Sequence, residues 1–288
     1  MDLSRIADAT IGPGRSRVNP LKEFVWAGYP RHLELHPRTC RLEPGAVHLW
    51  YRLTGDFDEH DLVAALELLS PLERARYERF ALERDRRDFA AAHGLLRRAL
   101  SLYGDARPAE WTFDTTESGK PSLAGTGFRP QFNIAHTDGL VACVAAVDVN
   151  VGVDVESFGS TVPNDVVSRC FSAHEIADLD VRNGIDRLER FTELWTLKEA
   201  YVKATGAGLS APLNAFTFEF DATSGLRFHP PDGTLNTDWQ FALFAPSASH
   251  RMAVAVHSGL RSDLRILTWS NGPADANLGV KRKSSTVR

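Results

Sequence analysis

Along residues 151–156 the valines alternate with Gly152, Asp154 and Glu156, a period of two that predicts a β-strand. Side chains two positions apart share one face of a strand, so Asp154 and Glu156 project together from an otherwise apolar segment. Downstream, Leu194, Leu197 and Tyr201 recur at helical spacing, and Trp195 and Val202 widen the apolar stripe. The helix they predict runs over 186–205, with Gly206 just beyond its end. Glu199 and Lys203 stand four positions apart on one face of it.

The same patterning assigns the rest of the chain. Strands are predicted at 46–53, 111–114, 132–136, 140–147, 216–220, 239–244 and 252–257, and a short helix at 61–69. Ser70 and Pro71 suit a helix start, and residues 72–103 read as helix in two pieces meeting near 82–85. A further helix is expected from about 165, taking in 171–175, while 118–121 and 137–139 read as a loop and a turn. The order recurs. Strand 46–53 corresponds to the Asp154 strand, the Arg-rich helix to the Glu199 helix, 111–113 to 216–218, and 140–146 to 252–256. The offset is about 102–111 residues. The expectation is an α+β fold of two similar α/β halves, packed as a pseudo-dimer with a cleft between them. The divisions are an extension at 1–43, a first half at 44–150, a second half at 151–262 carrying the metal site, and a polar, basic, disordered tail at 263–288.

Composition narrows the function classes. The chain has 288 residues, 43% hydrophobic and 24% charged, with a formal net charge of −4. That charge disfavours nucleic acid and anionic membrane as partners. No apolar run approaches the roughly 20 residues of a membrane span. Cys40, Cys143 and Cys170 match no zinc spacing, which fits a reducing, cytoplasmic setting. Two halves in one chain make a dimer unnecessary, so a monomer is expected.

Two carboxylates side by side in a partly buried place raise each other's pKa, and a cation relieves that cost. Hard oxygen ligands suit Mg²⁺, which keeps other positions for water and substrate phosphate. If the helix face meets the strand, Glu199 is a third carboxylate and Lys203 a positive charge fit for a phosphate. Taken singly, an Asp-x-Glu or an i,i+4 Glu–Lys pair is a common surface feature. Residues 74–98 carry Arg74, Arg76, Arg79, Arg84, Arg86, Arg87, Arg97 and Arg98 among interleaved acids. Most read as solvated pairs, with some free to clamp an anion through the planar guanidinium. Read alone, His136 is a satisfied strand-end histidine, Lys120 a solvated loop lysine, and Trp195, Phe132, Phe171 and Phe191 packing residues.

Five ordered segments together resemble the Sfp-type 4′-phosphopantetheinyl transferase family. They are Gly119-Lys120-Pro121, Phe132-Asn133-Ile134-Ala135-His136, Gly152-Val153-Asp154-Val155-Glu156, Phe171-Ser172-Ala173-His174-Glu175, and Trp195-Thr196-Leu197-Lys198-Glu199-Ala200-Tyr201-Val202-Lys203 with Gly206 and Gly208. The resemblance covers roughly residues 46–257. It implies transfer of the phosphopantetheine arm of coenzyme A to a serine of an apo acyl or peptidyl carrier protein, releasing 3′,5′-ADP. The Trp and Lys-Glu-Ala form is similar to the branch serving polyketide and non-ribosomal peptide synthesis. It implies Mg²⁺ on Asp154, Glu156 and Glu199, with Lys203 at the pyrophosphate. Contacts to coenzyme A are implied for His136, Gly119, Lys120 and Pro121, and for Arg76 and Arg84 on a looser alignment. Glu199 or a metal-bound water is the implied base, with Glu175 a further group near the metal. Ala135 departs from the family's usual serine, and Glu73 stands near a position that is often basic.

Two other classes compete. A metal-dependent nuclease also joins acidic strand residues to a lysine, but it places a Glu-x-Lys on a strand, and the net charge disfavours a phosphate-backbone substrate. A non-catalytic module that binds coenzyme A or a carrier would have no need to retain three carboxylates.

Overall fold

The computed structural model describes residues 25–27, 41–115, 121–124, 130–159, 161–208, 211–221, 225–231, 239–259, 265–270 and 285–286. In chain order the strands are β1 (Val25–Ala27), β2 (Ala46–Leu53), β3 (Phe113–Thr115), β4 (Pro121–Leu123), β5 (Gln131–Thr137), β6 (Leu140–Ala146), β7 (Asn150–Ser157), β8 (Thr217–Asp221), β9 (Gly225–His229), β10 (Trp239–Ser247), β11 (His250–His257), β12 (Arg265–Ser270) and β13 (Ser285–Thr286). The helices are α1 (Glu59–Leu66), α2 (Pro71–Tyr77), α3 (Glu83–Ser101), α4 (Asn164–Cys170), α5 (Ala173–Asp180) and α6 (Gly184–Thr205). No described helix is long and apolar enough to cross a membrane.

The fold is mixed α+β. One sheet runs β1-β12-β2-β6-β5, with β13 on β12, and a smaller one runs β10-β11-β7. Alternation along each strand sorts its side chains into two cores. Val47, Leu49, Leu140, Ala142 and Val144 meet Val151, Val153, Val155, Met252 and Val254 between the sheets. The opposite faces pack outward, with Trp50, Phe132, Val141 and Cys143 under α3, and Phe241, Ala253 and Ala255 under α6. The layers are therefore helix, sheet, sheet, helix. The edge strands β5 and β7 are joined by side chains. Asn133 Oδ1 accepts from Val153 N–H at 2.9 Å, and Thr137 Oγ1 from Ser157 N–H at 3.4 Å.

A paired device recurs. Ser70 caps α2 and Glu73 closes the capping box, and Ser172 and Glu175 do the same for α5. Glu73 then bonds the buried Arg97 at 2.5 Å, and Arg97 donates to the carbonyls of Pro108 and Trp111. Glu175 bonds the buried Lys198 at 2.8 Å, and Lys198 donates to the carbonyls of Leu213 and Phe216. Each staple ties a short helix, a long helix and the chain entering a hairpin. A buried charge holds only when paired and hydrogen-bonded, as both are. Burial pushes Glu73 up, but bonds to His93 and the Ser70 N–H, with the charges of His93 and Arg97, outweigh it and bring its pKa to about 2.

Several expectations need correcting. The single helix expected from 165 is two, because the Ser172 cap starts a new one after extended Phe171. Residues 265–270, expected within a disordered tail, form β12 between β1 and β2. The mostly apolar run Ile266 to Trp269 is followed, after Ser270, by the turn signal Asn271-Gly272-Pro273, which the expectation of a tail passed over. Val25–Ala27, expected in the extension, pairs with β12. Gly119 and Lys120 lie outside the described residues, while Pro121 opens β4.

Gly152 sets how closely α6 lies on β7. A Cβ there would stand 2.2 Å from the Ala200 carbonyl oxygen and 2.4 Å from the Ala204 nitrogen, both backbone atoms. Gly152→Ala should therefore push α6 from the strand and cost about 1–3 kcal/mol or more in urea unfolding. A variant as stable as the parent would show that α6 is free to shift.

Candidate active site

The outward face of β7 carries Gly152, Asp154 and Glu156, and α6 lies across it with Glu199 and Lys203 in its last two turns. The close approach at Gly152 brings Lys203 Nζ to 2.5 Å from Asp154 Oδ1. Asp154 is 4% exposed, and its Oδ2 is buried with no hydrogen-bond partner among the described residues. Such an orphaned oxygen is costly unless something positive meets it. Burial raises the Asp154 pKa against the pull of Lys203. Glu156 is raised to about 7, first by burial and then by the charge of Asp154, with Glu199 adding to it. Glu199 is raised by burial and by Asp154. The three carboxylates therefore feel one another, as their mutual shifts require.

Their oxygens are not gathered into a closed ligand set. Among the described residues, the group whose donor atoms all lie within 4.8 Å is Asp58, His60 and Asp61 on the exposed start of α1. There Asp58 caps the helix and Asp61 binds Arg52, so both acids already have partners. At β7 the lysine occupies the place beside Asp154 where a cation would relieve the crowding.

His136 is the next-to-last residue of β5, with much of the residue exposed but its ring nitrogens enclosed by neighbouring atoms. Burial of its ring base lowers its pKa, and the nearby charges of His93, Lys203 and Arg76 lower it further, against Asp85. The charges of Lys203 on α6 and Arg76 on α2 are thus both felt at His136 on β5. Arg76 is exposed with its guanidinium 5.5 Å from the centre of the Phe89 ring. Arg84 reaches the turn after β5, where it binds Asp138 at 3.2 Å, and it also pairs with Asp85.

Glu175, expected near the metal, is not available to one. It is fully buried, with Oε1 accepting from Phe218 N–H and Oε2 from Ser172 N–H and Lys198.

Comparison with known proteins places this arrangement. Residues 150–255 match the family model described as 4′-phosphopantetheinyl transferase superfamily, and residues 57–148 match the one described as 4′-phosphopantetheinyl transferase, N-terminal. A phosphopantetheinyl transferase of Thraustochytrium sp. is 31% identical over 232 residues, covering 74% of this chain and 79% of that protein. The 4′-phosphopantetheinyl transferase HetI of Nostoc sp. is 34% identical over 178 residues, covering 60% and 74%. The chain belongs to the 4′-phosphopantetheinyl transferase superfamily. Sfp of Bacillus subtilis is 25% identical over 205 residues, covering 71% of this chain and 89% of its own. The resemblance read from the five segments therefore stands, and so does the enzyme class.

In this transferase Trp195 does more than pack. Its ring stacks with Phe171 and Phe191, and its Nε1 donates to Glu156 Oε1 at 3.0 Å. The sequence placed Trp195 correctly on the apolar stripe but carried no sign that its polar tip meets a strand carboxylate. A bulky ring with one donor is suited to that dual task. Lys198 was likewise quoted only as part of a motif, and its burial against Glu175 is visible only in three dimensions.

Two outcomes follow from the carboxylates. The hydrogen bond from Trp195 favours ionised Glu156, so Trp195→Phe should move its carbon-13 carboxyl titration above about 7 in EDTA. No movement would mean the bond is not made in solution. Glu156 also holds a proton in the folded state at pH values where the unfolded chain has lost it. Its contribution to stability is therefore complete below 4.5 and is lost as pH rises through about 7. His48, lowered to about 4 by burial, acts in the opposite sense over much of this range, so the parent alone is a poor gauge. Glu156→Gln should gain in Tm relative to the parent, in EDTA, as pH rises from about 4.5 to 7. A difference that stayed flat would place Glu156 in water.

Proposed function

We propose that this chain moves the 4′-phosphopantetheine arm of coenzyme A onto a serine of an apo acyl or peptidyl carrier protein, releasing 3′,5′-ADP. The observation that carries the reading is the buried Asp154 Oδ2, unpartnered among the described residues and in the electrostatic reach of Glu156 and Glu199, with Lys203 at the other oxygen. Asp154, Glu156 and Glu199 are the residues that would hold Mg²⁺. When bound, the ion supplies neutralisation of charge on pyrophosphate oxygens.

The rest is the work of the chain's own groups. Lys203 carries a cation fit for the pyrophosphate, and His136, Arg76 and Arg84 line the approach on the side of the first half. Gly119, Lys120 and Pro121 complete the contacts to coenzyme A in this reading. The serine oxygen of the carrier attacks the phosphorus bearing the pantetheine arm, the bond to the bridging oxygen breaks, and 3′,5′-ADP leaves with that oxygen. The serine proton passes to Glu199, which burial and the charge of Asp154 make more basic than an ordinary glutamate.

We extend the proposal to the architecture. The recurrence of strand, two short helices, long helix, hairpin and two strands supports two halves, 44–150 and 151–262, forming a pseudo-dimer about a cleft. One chain then carries the whole site as a monomer. The free thiols Cys143 and Cys170 support a reducing, cytoplasmic setting. The Trp195 and Lys198-Glu199-Ala200 form supports carriers of polyketide and non-ribosomal peptide synthesis as partners, and the net charge of −4 supports neither nucleic acid nor membrane.

The test is the intact mass of an apo carrier incubated with the protein, coenzyme A and Mg²⁺. A phosphopantetheine-sized gain, abolished by EDTA, is the expected result. Asp154→Asn and Glu199→Gln should each lose at least about 100-fold in rate with unfolding curves near the parent's, and Lys203→Met should lose about tenfold or more. Parental turnover by Asp154→Asn would remove the metal assignment. Coenzyme A bound without transfer to any of several carriers would make the protein a binding module instead.

A further inference from the structure

The turn between β5 and β6 is gripped from both sheets. On the side of the larger sheet and α3, the Gly139 carbonyl accepts from Thr54 N–H at 2.9 Å. Asp88 accepts from the Gly139 N–H and, at 2.6 Å, from the Thr54 hydroxyl, and Arg84 binds the Asp138 carboxylate at 3.2 Å. On the side of the smaller sheet, the buried His250 that opens β11 has Nε2 2.8 Å from the Asp138 carbonyl oxygen. A carbonyl only accepts, so Nε2 carries the proton. Nδ1 then accepts from the Ser247 hydroxyl at 2.7 Å, and with both nitrogens engaged the ring has one orientation. The hairpin that carries the ring is fixed in turn, because the Ser249 carbonyl accepts from Phe158 N–H at 2.8 Å. His250 pairs with Ser157 across β11 and β7, and Ser157 donates its N–H to Thr137 Oγ1 at 3.4 Å. Thr137 and Asp138, consecutive in the chain, are thus held by two residues that face each other on neighbouring strands of the other sheet.

We propose that His250 is a positioning residue for coenzyme A: its bond to Asp138 fixes the turn after β5 and so sets His136 against the edge of β7. This rests on the reading of coenzyme A as co-substrate. The coupling is short-ranged. His136 precedes Thr137 and Glu156 precedes Ser157, so each of these side chains stands one residue from a link that crosses the sheets. Among the described residues β5 and β7 share no backbone ladder and are joined through the side chains of Asn133 and Thr137. The two joints differ. The bond from Val153 N–H to Asn133 is buried and 2.9 Å long, whereas the bond from Ser157 N–H to Thr137 is half-buried and 3.4 Å long. The seam is therefore weaker at the end that carries His136, and His250 is the tie that closes that end. A ligand met by groups on both sides of a seam binds tightly only if their spacing is set beforehand. His250 lies outside the five segments that carry the family resemblance, so only the fold reveals it.

The test is steady-state transfer with coenzyme A varied and the apo carrier saturating. His250→Phe keeps a ring and removes the donor, and should raise the KM for coenzyme A about fivefold, as the loss of one hydrogen bond implies. His250→Gln, whose amide can donate to the same carbonyl, should return it to within about twofold of the parent. A histidine that only stabilised the fold would lower the Tm of His250→Phe and leave the KM for coenzyme A unchanged, and that result would overturn the assignment. So would a His250→Gln with the same KM as His250→Phe, because the bond would then not be what matters. If His250→Phe unfolds, hydrogen exchange of the parent decides. Exchange of the Ser157 amide should slow about fivefold or more on saturation with coenzyme A, since a ligand that needs the seam closed must hold it closed. An unchanged rate would overturn the assignment. A parent that transfers nothing from coenzyme A fails the function itself, whereas one that transfers and whose KM survives His250→Phe fails only this inference.

Discussion

The site depends on how close one helix lies to one strand. Gly152 lets the backbone of α6 at Ala200 and Ala204 sit directly on β7. At that spacing the side chains on either side of the contact are forced to meet. Lys203 then reaches Asp154, and Glu199 lies near enough for its pKa to respond to Asp154. Any larger side chain at 152 would separate the two elements and dissolve the electrostatic cluster before touching a functional atom.

The two buried staples serve that contact from a distance. Glu175 and Lys198 fix α5 against α6 and anchor both to the chain entering β8. Lys198 therefore points away from Glu199 and Lys203, its neighbours in the same motif, and spends its charge inside the protein. In the first half Glu73 and Arg97 do the equivalent work around α3. The difference is that Glu73 keeps one oxygen for His93 on α3, whereas Glu175 gives its second oxygen to the Phe218 N–H.

Charge in this protein is arranged by sign and depth. Three acids with raised pKa values lie beneath a lysine on the β7–α6 side. Basic groups of the first half, Arg76 on α2 and His93 on α3, act electrostatically on His136 of β5. The formal charge of −4 conceals this division, because it sums over groups that never act together.

The periodicity of residues 151–156 and the helical stripe through Leu194, Leu197 and Tyr201 were sufficient for β7, α6 and the shared face of Asp154 and Glu156. Local geometry dictates these, since a strand repeats every two residues and a helix every 3.6. The recurrence of elements was legible for the same reason. The sequence could not separate charges that look alike. Glu175 and Glu199 are both motif glutamates, yet one is sealed under a lysine and the other stays beside Asp154. Trp195 read as packing and proved also to hold Glu156, because the bond spans 39 residues. Residues 265–270 read as tail and joined a sheet whose partners, Ala46–Leu53, lie more than 200 positions earlier. Such pairings depend on which surfaces meet after folding, and only the tertiary structure decides that.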